Sequence, residues 1–71
     1  MNAEVPPGTV PPLRILLVDD FHPFRRTVER MLKPFPSLHL IGEAADGLSA
    51  VEMALALRPD IIVMDVQMPG L

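Results

Sequence analysis

Apolar residues recur along this chain with two different periods. Leu13-Arg14-Ile15-Leu16-Leu17-Val18 is short and apolar at all but one position, the pattern of a strand buried on both faces. Leu38 to Gly42 and Ile61 to Met64 repeat that pattern in shorter form. Between these runs the period lengthens to that of a helix. Phe24, Val28, Met31 and Leu32 recur at helical spacing opposite Arg25, Arg26, Glu29, Arg30 and Lys33, predicting an amphipathic helix. Pro23 suits its first turn, where a missing N–H costs nothing, and Pro34 and Pro36 end it. Asp46-Gly47 marks a turn with Asp46 as N-cap. Leu48, Val51, Leu55 and the alanines between them predict a second helix, closed by Arg58-Pro59.

The predicted order is therefore β1 (Leu13–Val18), α1, β2 (Leu38–Gly42), α2, β3 (Ile61–Met64). Strands alternating with helices imply an α/β fold with a parallel sheet and helices on both faces. β1 runs into Asp19-Asp20 and β3 into Asp65. Placed side by side, the two strands bring three acids to one small volume, where like charges repel unless a cation joins them. A hard divalent ion with oxygen ligands, most naturally Mg²⁺, answers that need. Adjacent β1 and β3 put β2 on the far side of β1, giving the order 2-1-3, and right-handed crossovers put the two helices on opposite faces. Doubly wound sheets bind ligands at strand carboxyl ends where the winding reverses. Here that point lies between β1 and β3, where the acids are.

Composition narrows the class. Seventy-one residues carry one domain at most, near the lower limit for an unaided core. There is no cysteine, so neither disulfides nor thiolate metal sites arise, and the three aromatics are all Phe, so the core is aliphatic. A net charge of −3 argues against nucleic-acid binding by this segment. Residues 1–12 hold Glu4 and four prolines and no apolar stretch, which predicts an irregular, disordered tail rather than a signal peptide. No apolar run reaches the roughly 18–20 residues of a membrane span. A soluble, cytoplasmic protein is the expectation.

At this point the residues resemble the receiver domain of two-component response regulators, a flavodoxin-like fold. Ile15-Leu16-Leu17-Val18-Asp19-Asp20-Phe21 resembles the family's first strand and acidic pair. Gly42-Glu43-Ala44-Ala45-Asp46-Gly47 resembles its second strand and the following turn, and Arg58 to Asp65 its phosphoacceptor strand, with Met68-Pro69-Gly70 matching the loop beyond. His22-Pro23-Phe24-Arg25-Arg26 leans toward the LuxR-type subgroup, whose receivers precede a helix-turn-helix output domain. The resemblance implies that Asp65 accepts a phosphoryl group from a sensor histidine kinase. It also implies that Asp19, Asp20, Asp65 and the backbone carbonyl of Gln67 hold Mg²⁺. The receiver itself is then a signalling module rather than an enzyme. The family's later strands, β4 and β5, bring a Ser or Thr and a Lys to the phosphoryl group. Lys33 is the only lysine here, and it lies on α1. Residues 13–71 are thus expected to form a partial receiver with impaired phosphotransfer, or a remnant acting only through protein interaction, or a non-functional fragment.

Other residues carry blander expectations. His22 reads as a helix-entry residue, His39 as solvent-facing, Asp60 as a loop acid, and Met64 and Met68 as packing. Arg25, Arg26, Arg30 and Lys33 read as a solvated face, with kinase docking the lesser role. A haloacid-dehalogenase-like phosphatase would need Asp-x-Asp at its nucleophile, whereas this chain has Asp65-Val66-Gln67. The outer edge of β3 is apolar and uncharged, so a marginal monomer or self-association through that edge is expected.

Overall fold

A computed structural model describes residues 11–65. Five elements follow in order: β1 (Leu13–Val18), α1 (His22–Leu32), β2 (Leu38–Ala44), α2 (Gly47–Leu57) and β3 (Ile61–Met64). The three strands are parallel and lie in the order β2-β1-β3. The flavodoxin-like arrangement expected from the sequence is thus present as β-α-β-α-β. β2 runs two residues further than its apolar pattern suggests, because Glu43 and Ala44 continue the pairing with Leu17 and Val18. The register slips between Ile15, opposite Leu40, and Leu16, opposite Gly42. Ile41 is therefore an extra residue in β2, a bulge that bends this edge of the sheet.

β1 is the centre of the core. Ile15, Leu16, Leu17 and Val18 are all buried, as expected of a strand covered on both faces. Leu16 and Val18 pack with Ala44 and Ala50, and Met53 and Ala54 close around them. Ile15 and Leu17 alternate to the opposite face, where α1 is the remaining described element able to cover them.

Of the apolar residues that predict α2, the alanines Ala50 and Ala54 meet the sheet and the larger side chains do not. Leu48, Val51 and Leu55 are exposed, while Gly47 and Ala50 are buried. Gly47, Ala50, Met53, Ala54 and Leu57 form the inner face, again at helical spacing. The reason is close approach. A Cβ placed on Gly42 would lie 3.0 Å from Leu57 Cδ1 and 3.3 Å from Leu16 Cδ1. Small residues let the helix sit low on the strand, and low seating seals Leu16 completely. Seating the larger Leu48–Val51–Leu55 stripe there would hold the helix away from Leu16.

Both helix ends of α2 are satisfied. Asp46 accepts the Ser49 N–H at 2.8 Å, the predicted N-cap. At the other end Arg58 adopts a left-handed conformation, φ 50°, and its N–H returns to the Ala54 carbonyl. The Arg14 guanidinium donates to the carbonyls of Leu57 and Arg58, each at 2.7 Å. A cation is thereby placed at the negative end of the helix dipole. Asp60, expected to be a plain loop acid, accepts the Arg14 backbone N–H at 2.8 Å. The polar residue in β1 is therefore the clamp between β1 and the end of α2.

Candidate functional site

Two strand ends and one turn build the site. The sheet's hydrogen bonding continues one residue beyond each strand: Asp19 N–H donates to the Ala44 carbonyl at 3.0 Å, and Asp65 N–H to the Val18 carbonyl at 3.1 Å. Val18 faces Met64 in the register, so Asp19 and Asp65 leave the sheet side by side at its carboxyl edge. Asp20 joins them from the turn that follows. One ligand oxygen from each of Asp19, Asp20 and Asp65 lies within 4.8 Å of the other two. The sequence placed these three acids together, and the structure does so.

The turn is held by its own backbone. Asp19 Oδ1 accepts the Phe21 N–H at 2.9 Å, an Asx turn. The Phe21 carbonyl then accepts the N–H groups of Phe24 and Arg25 at 3.1 and 3.2 Å, which starts α1. Pro23 falls where no donor is needed. Asp19 is half-buried and Asp20 exposed, so the cluster opens to solvent.

This donor set fits a hard cation. It offers oxygen ligands alone, and a carboxylate has lone pairs enough to hold an amide and a metal together. In an octahedron with metal–oxygen distances of about 2.1 Å, opposite ligands stand about 4.2 Å apart. A cluster spanning 4.8 Å reaches that with small side-chain rotations. Without a cation, each pair of these charges repels by about 1 kcal/mol even at the dielectric constant of water. The expected fourth ligand, the Gln67 carbonyl, lies outside the described residues, as does Met68.

Other predicted residues are elsewhere. His22 and His39 are exposed, and Asp60 serves the opposite end of the sheet through Arg14. The cationic face of α1 departs most from expectation. Arg25 is only 13% exposed in its side chain and pairs with Glu43, Nε to Oε1 at 3.2 Å. Arg26 pairs with the other Glu43 oxygen and with Glu29 at 3.0 Å. Arg25 also donates to the Asp19 carbonyl. The Arg26 hydrogen bond, reinforced by Arg25, holds the Glu43 carboxyl below the usual glutamate range despite partial desolvation. Sequence reading missed Glu43. Its signal was a lone acidic residue at the end of a mostly apolar strand, in a chain whose preceding helix carries two consecutive arginines.

Comparison with known proteins agrees with this geometry. The family model described as the response regulator receiver domain matches residues 15–71. A protein-glutamate methylesterase/protein-glutamine glutaminase of Alkalilimnicola ehrlichii is 51% identical over 80% of the chain, and one of Pseudoalteromonas atlantica 52% over 79%. The chain spans only about 15% of the length of each. Among solved structures, the receiver domain of the response regulator NarL from Mycobacterium tuberculosis superposes with a TM-score of 0.81 at 37% identity. That match covers 87% of this chain and 50% of the other. The response regulator domain of Thermotoga maritima CheB gives 0.79 at 42% identity, covering 84% and 45%. A LuxR-family regulator from Aurantimonas gives 0.77 at 37%, covering 83% and 42%.

Proposed function

Because the chain belongs to the response regulator receiver family, we propose that it is a phosphoacceptor signalling module, taking a phosphoryl group on Asp65 from a sensor histidine kinase. The observation that carries this reading is the convergence of Asp19, Asp20 and Asp65 within 4.8 Å at the carboxyl edge of β1 and β3. A carboxylate oxygen of Asp65 attacks phosphorus. The P–N bond of the donor phosphohistidine breaks, and the imidazole leaves with the electron pair and takes up a proton. An aspartyl acyl phosphate remains. Such transfers need positioning and charge neutralisation more than covalent help. Mg²⁺ supplies the neutralisation when bound, letting an anionic nucleophile meet an anionic phosphoryl group. Asp19, Asp20 and Asp65 would hold it. β1 and β3 fix the nucleophile's backbone through the sheet ladder, so that the approach needs little reorganisation.

The same reading makes residues 13–71 part of a longer cytoplasmic regulator whose receiver controls an output domain. His22-Pro23-Phe24-Arg25-Arg26 favours a LuxR-type transcriptional output, and the methylesterase relatives favour the alternative, a receiver that controls that enzyme. The sequence of the transcript beyond the Leu71 codon decides between them. A third role, self-association through β3, draws support from that strand's exposure.

Incubation with acetyl phosphate tests the central claim. The expected outcome is a base-labile phosphoryl adduct on Asp65 that requires Mg²⁺ and is lost in Asp65→Asn. Mg²⁺ binding without any adduct would leave only the interaction-module reading standing.

A further inference from the structure

The backbone of Asp19 is held at more points than a strand end requires. Its N–H is in the sheet, donating to Ala44. Its Oδ1 accepts from Phe21. Its carbonyl accepts from Arg25 Nη1 at 2.5 Å. That carbonyl belongs to the peptide joining Asp19 to Asp20, so whatever fixes it sets the direction in which Asp20 leaves the strand. Asp20 is exposed and has no strand pairing of its own.

Arg25 is equipped for this. Its guanidinium is a rigid planar fork, with Nε on Glu43 and Nη1 on the Asp19 carbonyl. Glu43 adjoins Ala44, the residue that receives the Asp19 N–H. A closed circuit results, running from Asp19 across the sheet to Ala44 and Glu43, through Arg25, and back to Asp19. Arg26 occupies the second Glu43 oxygen and so orients the carboxylate toward Arg25. The described contacts of Arg25 go to the backbone and to Glu43, and none goes to the carboxylates of Asp19 or Asp20. A cation lying beside an acidic cluster is thus kept from neutralising it.

We propose that Arg25, anchored by Glu43, is a positioning residue of the acidic site: it fixes the Asp19–Asp20 peptide so that both carboxylates meet Asp65. This inference rests on the cation-binding reading above, and the sign of one effect tests it. Considered as a charge alone, Arg25 repels a divalent cation, so its removal should tighten binding. As a positioning residue, its removal should weaken binding.

The experiment is Mg²⁺ titration of the 71-residue chain by calorimetry, together with hydrogen exchange at the Phe21 amide, which donates to Asp19 Oδ1, without metal. Arg25→Ala is expected to weaken Mg²⁺ binding by about 10-fold or more, the usual cost of losing a group that orients a metal ligand, and to speed exchange at that amide. Arg25→Lys keeps the charge and most of the packing but not the fork. It should retain the fold while recovering neither affinity nor protection. Arg26→Ala should weaken binding less than Arg25→Ala does, because among the described residues Arg26 pairs only with Glu43 and Glu29 and reaches the site through Glu43 alone. Unchanged or tighter binding in Arg25→Ala, or unchanged exchange at the Phe21 amide, overturns the proposal. If the wild type itself binds no Mg²⁺, the cation reading fails, and the exchange data alone decide the role of Arg25.

Discussion

β1 and β3 are nearly the same strand in sequence and occupy opposite environments. Each is a short aliphatic run ending in an aspartate, and they lie side by side in register, Leu16 beside Ile62 and Leu17 beside Val63. Leu16 is 0% exposed and Ile62 46%. Paired residues on adjacent strands point to the same face, so α2 seals the first of this pair and fails to reach the second. The difference teaches that apolar character makes a strand, whereas burial depends on what the neighbouring elements cover. It also divides the acidic site. Asp19 stands on the best-packed strand of the described fold, and Asp65 on the least covered.

The largest expected effect breaks this pair apart. Leu16→Ala removes a fully enclosed side chain and should cost about 2–5 kcal/mol. Ile62→Ala, one strand away at the same level, should cost under about 1 kcal/mol. Urea denaturation of both variants measures the gap. Similar losses at the two positions would mean that β3 is as well covered as β1 in solution.

A smaller effect concerns the open edge. Among the described residues β3 has one neighbour in the sheet, and its four side chains are all exposed. An apolar edge of this kind pairs readily with another chain unless a charge interrupts it. The wild-type mass in sedimentation equilibrium should therefore rise with concentration. Val63→Lys should weaken that association by about 10-fold or more, roughly 1.4 kcal/mol, without altering the β1 core. A wild type that stays monomeric throughout would remove self-association from the functions of this surface.

How much of this contrast was legible in the sequence follows from how each feature is encoded. The strands follow from apolar runs and their alternation with helices, and the order 2-1-3 follows once the strand-end acids Asp19, Asp20 and Asp65 make β1 and β3 neighbours. All of these are written locally or nearly so. The inner face of α2 was not legible, because Leu48, Val51 and Leu55 carry the strong periodic signal while Gly47, Ala50 and Ala54 carry a weak one. The small residues won through close approach to Gly42 and Leu16, a property of two elements together. The role of Arg14 was hidden for a similar reason, since its partners at Leu57 and Arg58 lie more than forty residues away. Arg25 and Arg26 looked like a solvated face because their shared partner, Glu43, sits on β2, well over a dozen residues further along the chain.

The subtlest expected effect separates the two halves of the site by pH. Asp19 is anchored partly through charge, by way of Arg25 and Glu43. The backbone of Asp65 is held by the sheet ladder, whose hydrogen bond to Val18 does not titrate. Glu43 has a carboxyl pKa lowered chiefly by its hydrogen bond from Arg26, with further help from Arg25. A folded-state pKa below the unfolded value means that the unfolded chain binds the proton more readily. The stabilisation from Glu43 is therefore fully present above the unfolded glutamate value, about 4.3, and is lost as pH falls through the lower folded value. Arg26 is 40% exposed in its side chain, so solvent screening keeps the effect small. Glu43→Gln removes this titration. Its stability should lie below that of wild type near pH 7, and the difference should shrink as the pH drops below about 4. Exchange at the Phe21 amide, corrected for the intrinsic pH dependence, should speed up over the same interval in wild type more than in Glu43→Gln, while the Asp65 amide, held by the ladder, should not follow. Equal loss of protection at Phe21 and Asp65 would show that both strand ends share one anchor, and the distinction drawn between β1 and β3 would fail at the site itself.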